Sequence, residues 1–199
     1  MSELKFLPLN SAEFWQRSAG EFKSIRTLCI AALFVALHTV LSMFYIPISQ
    51  SLQIHFTFIA DIICSIICGP LVGILCGVAA DLISFMMHPE WGFFPGYTLT
   101  CVLTFVVYGL YLYRRRLSIL RVLLARLTVN LFINVGLGCV WSSMLYGKGY
   151  YYYFATSVVK NLAMLPVEVI VMCVVLRLLL PALTSLKLIP PQKKLPIIK

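Results

Sequence analysis

SILRVLLARLTVNLFINVGLGCVWSS, residues 118 to 143, is long and apolar enough to cross a bilayer, yet it carries Arg126 near its middle. A guanidinium at that depth costs about 2.5 to 3.5 kcal/mol on insertion scales, so it must face a protein interior or a wet cavity with partners. Four-residue steps drift only about 40° around a helix, so Arg126, Asn130 and Asn134 share a face. The seven-residue step to Trp141 nearly restores the phase. A cation, two amides and a large ring on one face are suited to a flat, polar, hydrogen-bonding molecule, or else brace one helix against another. The stripe leads to the aromatic segment Tyr146-Gly147-Lys148-Gly149-Tyr150.

Composition sets the surroundings of this helix. With 61% hydrophobic and 12% charged residues and a mean hydropathy of +0.94, the chain lacks the polar surface to cover a soluble globule. About 20 apolar residues cross a hydrocarbon core, and the chain has room for six such spans. The expected spans run from Arg26 to Tyr45, Ile54 to Cys68, Pro70 to Met87, an aromatic loop to Tyr113, Ser118 to Ser143, and Phe154 to Leu180. Residues 1–24 then form a tail or surface helix, 25–183 a transmembrane domain, and 184–199 a second tail. No cleavable leader is expected, because the first apolar run begins near Thr27.

The net charge of +9 is a topology signal. Lys5, Arg17, Lys23 and Arg26 precede the first span. Arg114, Arg115, Arg116 and Arg121 lie between the fourth and fifth, and Arg177, Lys187, Lys193, Lys194 and Lys199 end the chain. Six spans put all of these on one side, which the positive-inside rule makes the cytoplasm, with both termini. The basic residues form no nucleic-acid recognition motif, so no such partner is expected. The seven cysteines all lie in apolar segments. There they behave as small hydrophobes, with neither a disulfide framework nor a metal site in prospect.

Other residues have two readings. Ala32 and Ala36 put two small side chains on one face of the first span, and Gly69, Gly73 and Gly77 repeat the device; such faces let another backbone approach closely. For the glycines, packing within the bundle is the expectation. Asp61, Asp81 and Glu168 are the acidic residues inside spans and need partners or water. Asp81 either touches a ligand or braces the structure, with an ion pair to Arg126 or Lys160 favoured; Asp61 and Glu168 read as structural. His38, His55 and His88 have no ligand-like spacing. Trp91, Phe93, Phe94, Pro95 and Tyr97 belong either to an interfacial belt or to a lid, and the run Tyr150 to Tyr153 to the belt. Ile46 to Gln53 is expected as an outer loop.

Four segments carry a family resemblance: Ala32-Leu33-Phe34-Val35-Ala36, Gly69-Pro70-Leu71-Val72-Gly73, Phe94-Pro95-Gly96-Tyr97-Thr98, and RLTVNLFINVGLGCVWSSMLYGKGY from Arg126 to Tyr150. From about Ser24 to Leu183 the chain resembles the substrate-binding S component of energy-coupling factor (ECF) vitamin importers, and the last segment is most similar to the folate-specific branch. The resemblance implies an all-α, six-helix membrane bundle in the cell membrane, with no enzymatic activity and no cofactor. It also implies a vitamin pocket near the outer surface and dependence on a transmembrane coupling subunit with two cytoplasmic ATPases. Ala32 and Ala36 would face the coupling subunit.

Folate suits the polar stripe chemically. Asn130 and Asn134 match the donor and acceptor edge of a pterin, Trp141, Tyr146, Phe94 and Tyr97 supply rings, and Arg126 can donate to the pterin carbonyl. Lys148 is the expected partner for the glutamate carboxylates, with Asp81 a further candidate contact. The alternatives are an S component for riboflavin or thiamine, an intramembrane enzyme using Asp61 and Asp81, and a structural subunit without a ligand.

Overall fold

The computed structural model describes residues 6–9, 11–49, 52–87, 94–146, 149–192 and 195–197. A short helix α1 (Ala12–Gly20) and a 3-10 turn (Glu21–Lys23) lead into α2 (Ile25–Ser42). Strands β1 (Tyr45–Ser49) and β2 (Leu52–His55) follow. The helical segment Phe58–Met87 contains Gly69 with φ of 80° and ψ of 175°, values no right-handed helix accommodates. It therefore divides into α3 (58–68) and α4 (70–87). The two form a hairpin: Cys64 Sγ lies 3.7 Å from Cys76 Sγ, whereas twelve residues of straight helix separate side chains by about 18 Å.

Helices α5 (Pro95–Leu112), α6 and α7 (Tyr150–Ser185) complete the bundle. Helix α6 has three parts, α-helical Ile119–Thr128, π-helical Val129–Leu137 and α-helical Gly138–Tyr146. Among the described residues, five helices are long and apolar enough to cross a membrane. The fold at Gly69 makes six helical segments of them, the all-α bundle that the composition demands.

Serine caps start the helices at one end of the bundle. Ser11, Ser24 and Ser118 accept from the N–H of Phe14, Thr27 and Arg121, opening α1, α2 and α6. Each cap satisfies a donor that the helix itself cannot. Ser18 of α1 does the same for α4, accepting from Leu71 N at 3.2 Å. The N-terminal segment is thus a docked helix rather than a frayed tail, and its fully buried Phe14 meets the Tyr113 ring edge-on at 5.5 Å. Glu21 accepts from Tyr113 Oη at 2.9 Å and from Arg114 Nη2 at 3.1 Å. Burial pushes the Tyr113 hydroxyl well above its ordinary pKa, with Glu21 adding to the shift.

The described part of the C-terminal tail returns to the same end. Gln192 bonds both backbone groups of Leu117, and Pro196 O accepts from Ile119 N at 3.0 Å. Arg26 Nη2 donates to Leu186 O at 2.7 Å. Both terminal segments and the 113–118 connection therefore gather where the α3–α4 hairpin turns. This is the basic end; the opposite, aromatic end holds Phe94, Tyr97, Trp141 and Tyr150.

The glycine expectation holds through close crossings of α4 and α5. A Cβ on Gly77 would lie 2.6 Å from Val102 Cα, and one on Gly73 would lie 3.3 Å from Phe105 Cβ; Gly109, not part of that expectation, comes as close, its Cβ falling 2.7 Å from Pro70 Cα.

Two expectations need correction. The expected outer loop Ile46 to Gln53 includes strands in its described part: Tyr45 pairs with His55 and Ile46 with Ile54 in an antiparallel ladder, with an irregularity between Pro47 and Ser49. The isoleucines favour extended backbone, and a two-stranded ribbon tolerates Pro47 on its edge. Second, the helix expected from Ile54 to Cys68 begins only at Phe58, because its first residues belong to β2. Eleven residues span about 16 Å, half a hydrocarbon core. Helix α3 is buried at nearly every position, so neighbouring helices screen it and the strands beyond it complete the path. At the other end of the chain, α7 starts at Tyr150 and absorbs the tyrosine run expected to precede it.

Candidate functional site

The charged interior lies where α5, α6 and α7 meet. Arg126 Nε donates to Glu168 Oε2 at 2.7 Å, Arg126 Nη2 donates to Glu168 Oε1, and Arg126 Nη1 donates to Tyr108 Oη at 2.8 Å. The guanidinium also lies 5.0 Å from the centroid of the Phe58 ring. Arg126, Glu168 and Tyr108 are all buried. A fork-to-fork pair of this kind fixes both side chains, and at membrane depth it is what makes a guanidinium tolerable. Of the two cations expected for Asp81, Arg126 is taken by Glu168, while Asp81 Oδ2 accepts from Thr98 Oγ1 at 2.6 Å.

The two asparagines extend the network toward the aromatic end. Asn130 Nδ2 donates to Glu168 Oε2 at 2.9 Å and to Asn161 O at 3.4 Å. Its Oδ1 accepts from Asn134 Nδ2 at 3.1 Å. Both sit in the π-helical part of α6, a conformation common at functional sites because it re-aims side chains within a helix. Helix α7 supplies Asn161, whose Nδ2 donates to Ser157 O at 2.8 Å and to Ser157 Oγ at 3.1 Å. Tyr108, Ser157 and Asn161 were not singled out from sequence. The available signal was the spacing of Ser157, Asn161 and Glu168, which puts three polar groups on one face of α7 just as the α6 stripe does.

Trp141, two turns beyond Asn134 on α6, packs against Phe94, which also meets Tyr97. The Phe94 ring lies 5.5 Å from Trp141 and 5.8 Å from Tyr97, edge-on to both. Gly96 makes the approach possible, for a Cβ there would fall 2.3 Å from the Phe94 ring and 2.7 Å from Trp141. Trp141 Nε1 donates to Thr100 Oγ1 at 3.2 Å, and Thr100 Oγ1 donates to Gly96 O at 3.0 Å. The indole is thereby fixed to the first turns of α5, beside the Thr98–Asp81 bond. Of Tyr146 only the backbone is described, as the last residue of α6. Lys148, together with His88, Trp91 and Phe93, lies outside the described residues.

The remaining interior acid is also paired. Asp61 Oδ1 lies 2.6 Å from His38 Nδ1 between α2 and α3, both side chains buried. Asp61 and Asp81, the pair on which an enzyme would depend, are thus each engaged by a partner of their own. Ala32 and Ala36 both point out of the bundle from α2.

A helical membrane bundle with a paired charged interior, an amide ladder and an aromatic cluster at one end has the make-up of a solute-binding membrane component. Comparison with known proteins gives the class its family. Residues 26–176 match the family "ECF transporter, substrate-specific component", and the chain belongs to it. It is therefore a multi-pass membrane transporter component and not an enzyme. The chain is similar to the folate transporter FolT of Clostridium novyi (strain NT), at 29% identity over 149 residues covering 75% of this chain and 87% of that one. It is also similar to the folate transporter FolT of Leuconostoc mesenteroides subsp. mesenteroides, at 28% identity over 150 residues, 72% of this chain and 80% of that one. Among solved structures, a FolT crystal structure bound with folic acid superposes with a TM-score of 0.68 at 28% identity, covering 75% of this chain and 91% of that one.

Proposed function

We propose that this chain is the folate-binding subunit of an ECF-type, ATP-driven importer of the cell membrane. The observation that carries the reading is that α6 bears the bonded pair Asn130–Asn134 and, two turns on, Trp141, which packs against Phe94, itself in contact with Tyr97. Hydrogen-bonding edges and ring faces are the two things a pterin requires, and a preformed site built from them binds tightly because little is left to order. The names of the relatives point to the same vitamin.

In this reading Asn134, Trp141, Phe94, Tyr97 and Tyr146 contact the ligand, and Lys148 meets the glutamate carboxylates. Asp81 holds the start of α5 through Thr98. Arg126 and Asn130 form the frame behind the site, since the Arg126 donors engaged with Glu168 and Tyr108 face the bundle interior. The positive-inside rule turns the basic end to the cytoplasm and the aromatic end outward. Ala32 and Ala36, exposed on α2, meet the transmembrane coupling subunit, which works with two cytoplasmic ATPases.

Titration of the purified protein with folate, read by tryptophan fluorescence beside riboflavin and thiamine, tests the proposal. Saturable quenching by folate, weakened tenfold or more by Trp141→Ala (roughly 1.4 kcal/mol or above), is the expected result. Binding of riboflavin or thiamine in preference to folate would overturn it.

A further inference from the structure

The buried network controls more than stability. Glu168, held by the Arg126 fork, presents Oε2 to Asn130, and a carboxylate only accepts. The Asn130 amide must therefore turn its NH2 group toward α7, where both N–H donors are committed to Glu168 Oε2 and Asn161 O. Its oxygen is left facing Asn134, and an oxygen there requires the NH2 of Asn134. Each choice forces the next, so two amides that could otherwise flip by half a turn are held in one sense. Asn134 is left with Oδ1 and one N–H for which no partner occurs among the described residues. It is half-buried and lies two turns before Trp141 on the same helix.

We infer that Glu168 and Asn130 are positioning residues that fix the donor and acceptor order which Asn134 shows to the ligand, making Asn134 the specificity-determining residue of the site. This rests on the proposed folate reading and adds to it. The fixed pattern, one acceptor beside one donor, complements a cyclic lactam edge, whose ring N–H donates while its carbonyl accepts. A 2,4-diamino ring reverses that pattern, with a ring nitrogen that accepts and an amino group that donates. A freely flipping amide would serve both rings; a held one serves the first.

The test is the ratio of dissociation constants for folate and its 4-amino analogue aminopterin, measured on the purified full-length protein. Wild type should favour folate by about tenfold or more, the usual effect of mismatching a hydrogen-bonding site. Asn130→Leu leaves the Arg126–Glu168 pair in place and frees Asn134 to rotate, so the ratio should fall toward one. Asn134→Leu, at the half-buried tip, should erase the preference while weakening folate binding. Glu168→Gln should move the ratio in the same direction, because a carboxamide can offer Asn130 either a donor or an acceptor. A merely structural role weakens both ligands alike, so a ratio unchanged in Asn130→Leu and Asn134→Leu overturns the inference even where affinity falls. A wild-type protein that binds neither pterin refutes the folate reading itself, a separate outcome.

Discussion

Replacing Glu168 by leucine should destabilise the bundle far more than its size suggests. The carboxylate accepts from Arg126 Nε, Arg126 Nη2 and Asn130 Nδ2, and it is 5% exposed opposite an Arg126 that is 6% exposed. Without it the guanidinium keeps Tyr108 as its hydrogen-bond partner and has lost its counter-charge. Breaking a buried pair in this way costs about 3–5 kcal/mol, and at ~2–4 °C per kcal/mol for a chain of this length the midpoint should fall by roughly 6–20 °C. The double variant Arg126→Leu/Glu168→Leu strands no charge. It leaves Tyr108 and one N–H of Asn130 short of a partner, about 1–3 kcal/mol each, and so should cost less than the sum of the two single changes. Thermal unfolding in detergent can be followed by a fluorogenic thiol reagent in a Cys29→Ser background, which removes an exposed thiol while Cys64, Cys68 and Cys76 remain buried. A single variant melting within about 2 °C of the parent, or a double variant as damaged as the two singles added together, would refute the buried-pair argument.

Three further changes probe separate parts of the molecule. Gly77→Ala should lower the melting midpoint by roughly 2–12 °C, because its Cβ would meet Val102 Cα at 2.6 Å and overpacking costs about 1–3 kcal/mol; an unchanged midpoint would mean that α4 and α5 cross less closely than described. Gly69→Ala forces a side chain into φ of 80° at the α3–α4 turn, against Ser18 and Tyr113, and should cost at least the roughly 1–2 kcal/mol of the left-handed region, visible as faster thiol labelling of Cys64 and Cys68. Ala36→Trp, on the exposed face of α2, should leave folate binding within about twofold, under ~0.5 kcal/mol, and abolish co-purification with the coupling subunit; retained co-purification would remove α2 from that interface.

The architecture was legible because hydropathy and charge act over whole segments. Long apolar runs can satisfy their backbone in lipid only as helices, and the arginine triplet at 114–116 could lie only at a surface. Gly69-Pro70 announced its turn for a local reason: Pro70 disfavours a helical residue before it, and glycine accepts the positive φ. The β1–β2 hairpin was obscured because Pro47 and the polar residues Ser49, Gln50, Ser51 and Gln53, lying between two apolar spans, read as a loop. Ladder pairing between 45 and 55 is a relation between two short segments, and hydropathy within either one does not reveal it.

The polar stripe was legible in kind and not in connection. That Arg126, Asn130 and Asn134 share a face follows from helical phase, and the structure places them on one face with Asn134 Nδ2 donating to Asn130 Oδ1. What Arg126 does there depends on which acid reaches it, and helical phase is silent about contacts between helices. The sequence favoured Asp81 for an ion pair with Arg126; the packing of α7 against α6 selects Glu168 instead. The consequence is a division of labour along one stripe. Charge is consumed at one end to hold two amides, and in the proposed folate reading the surface that meets the ligand is the neutral amide and ring end of the same stripe. A neutral edge suits a bilayer-embedded site, because a flat uncharged ring can enter and leave it without stranding an ion.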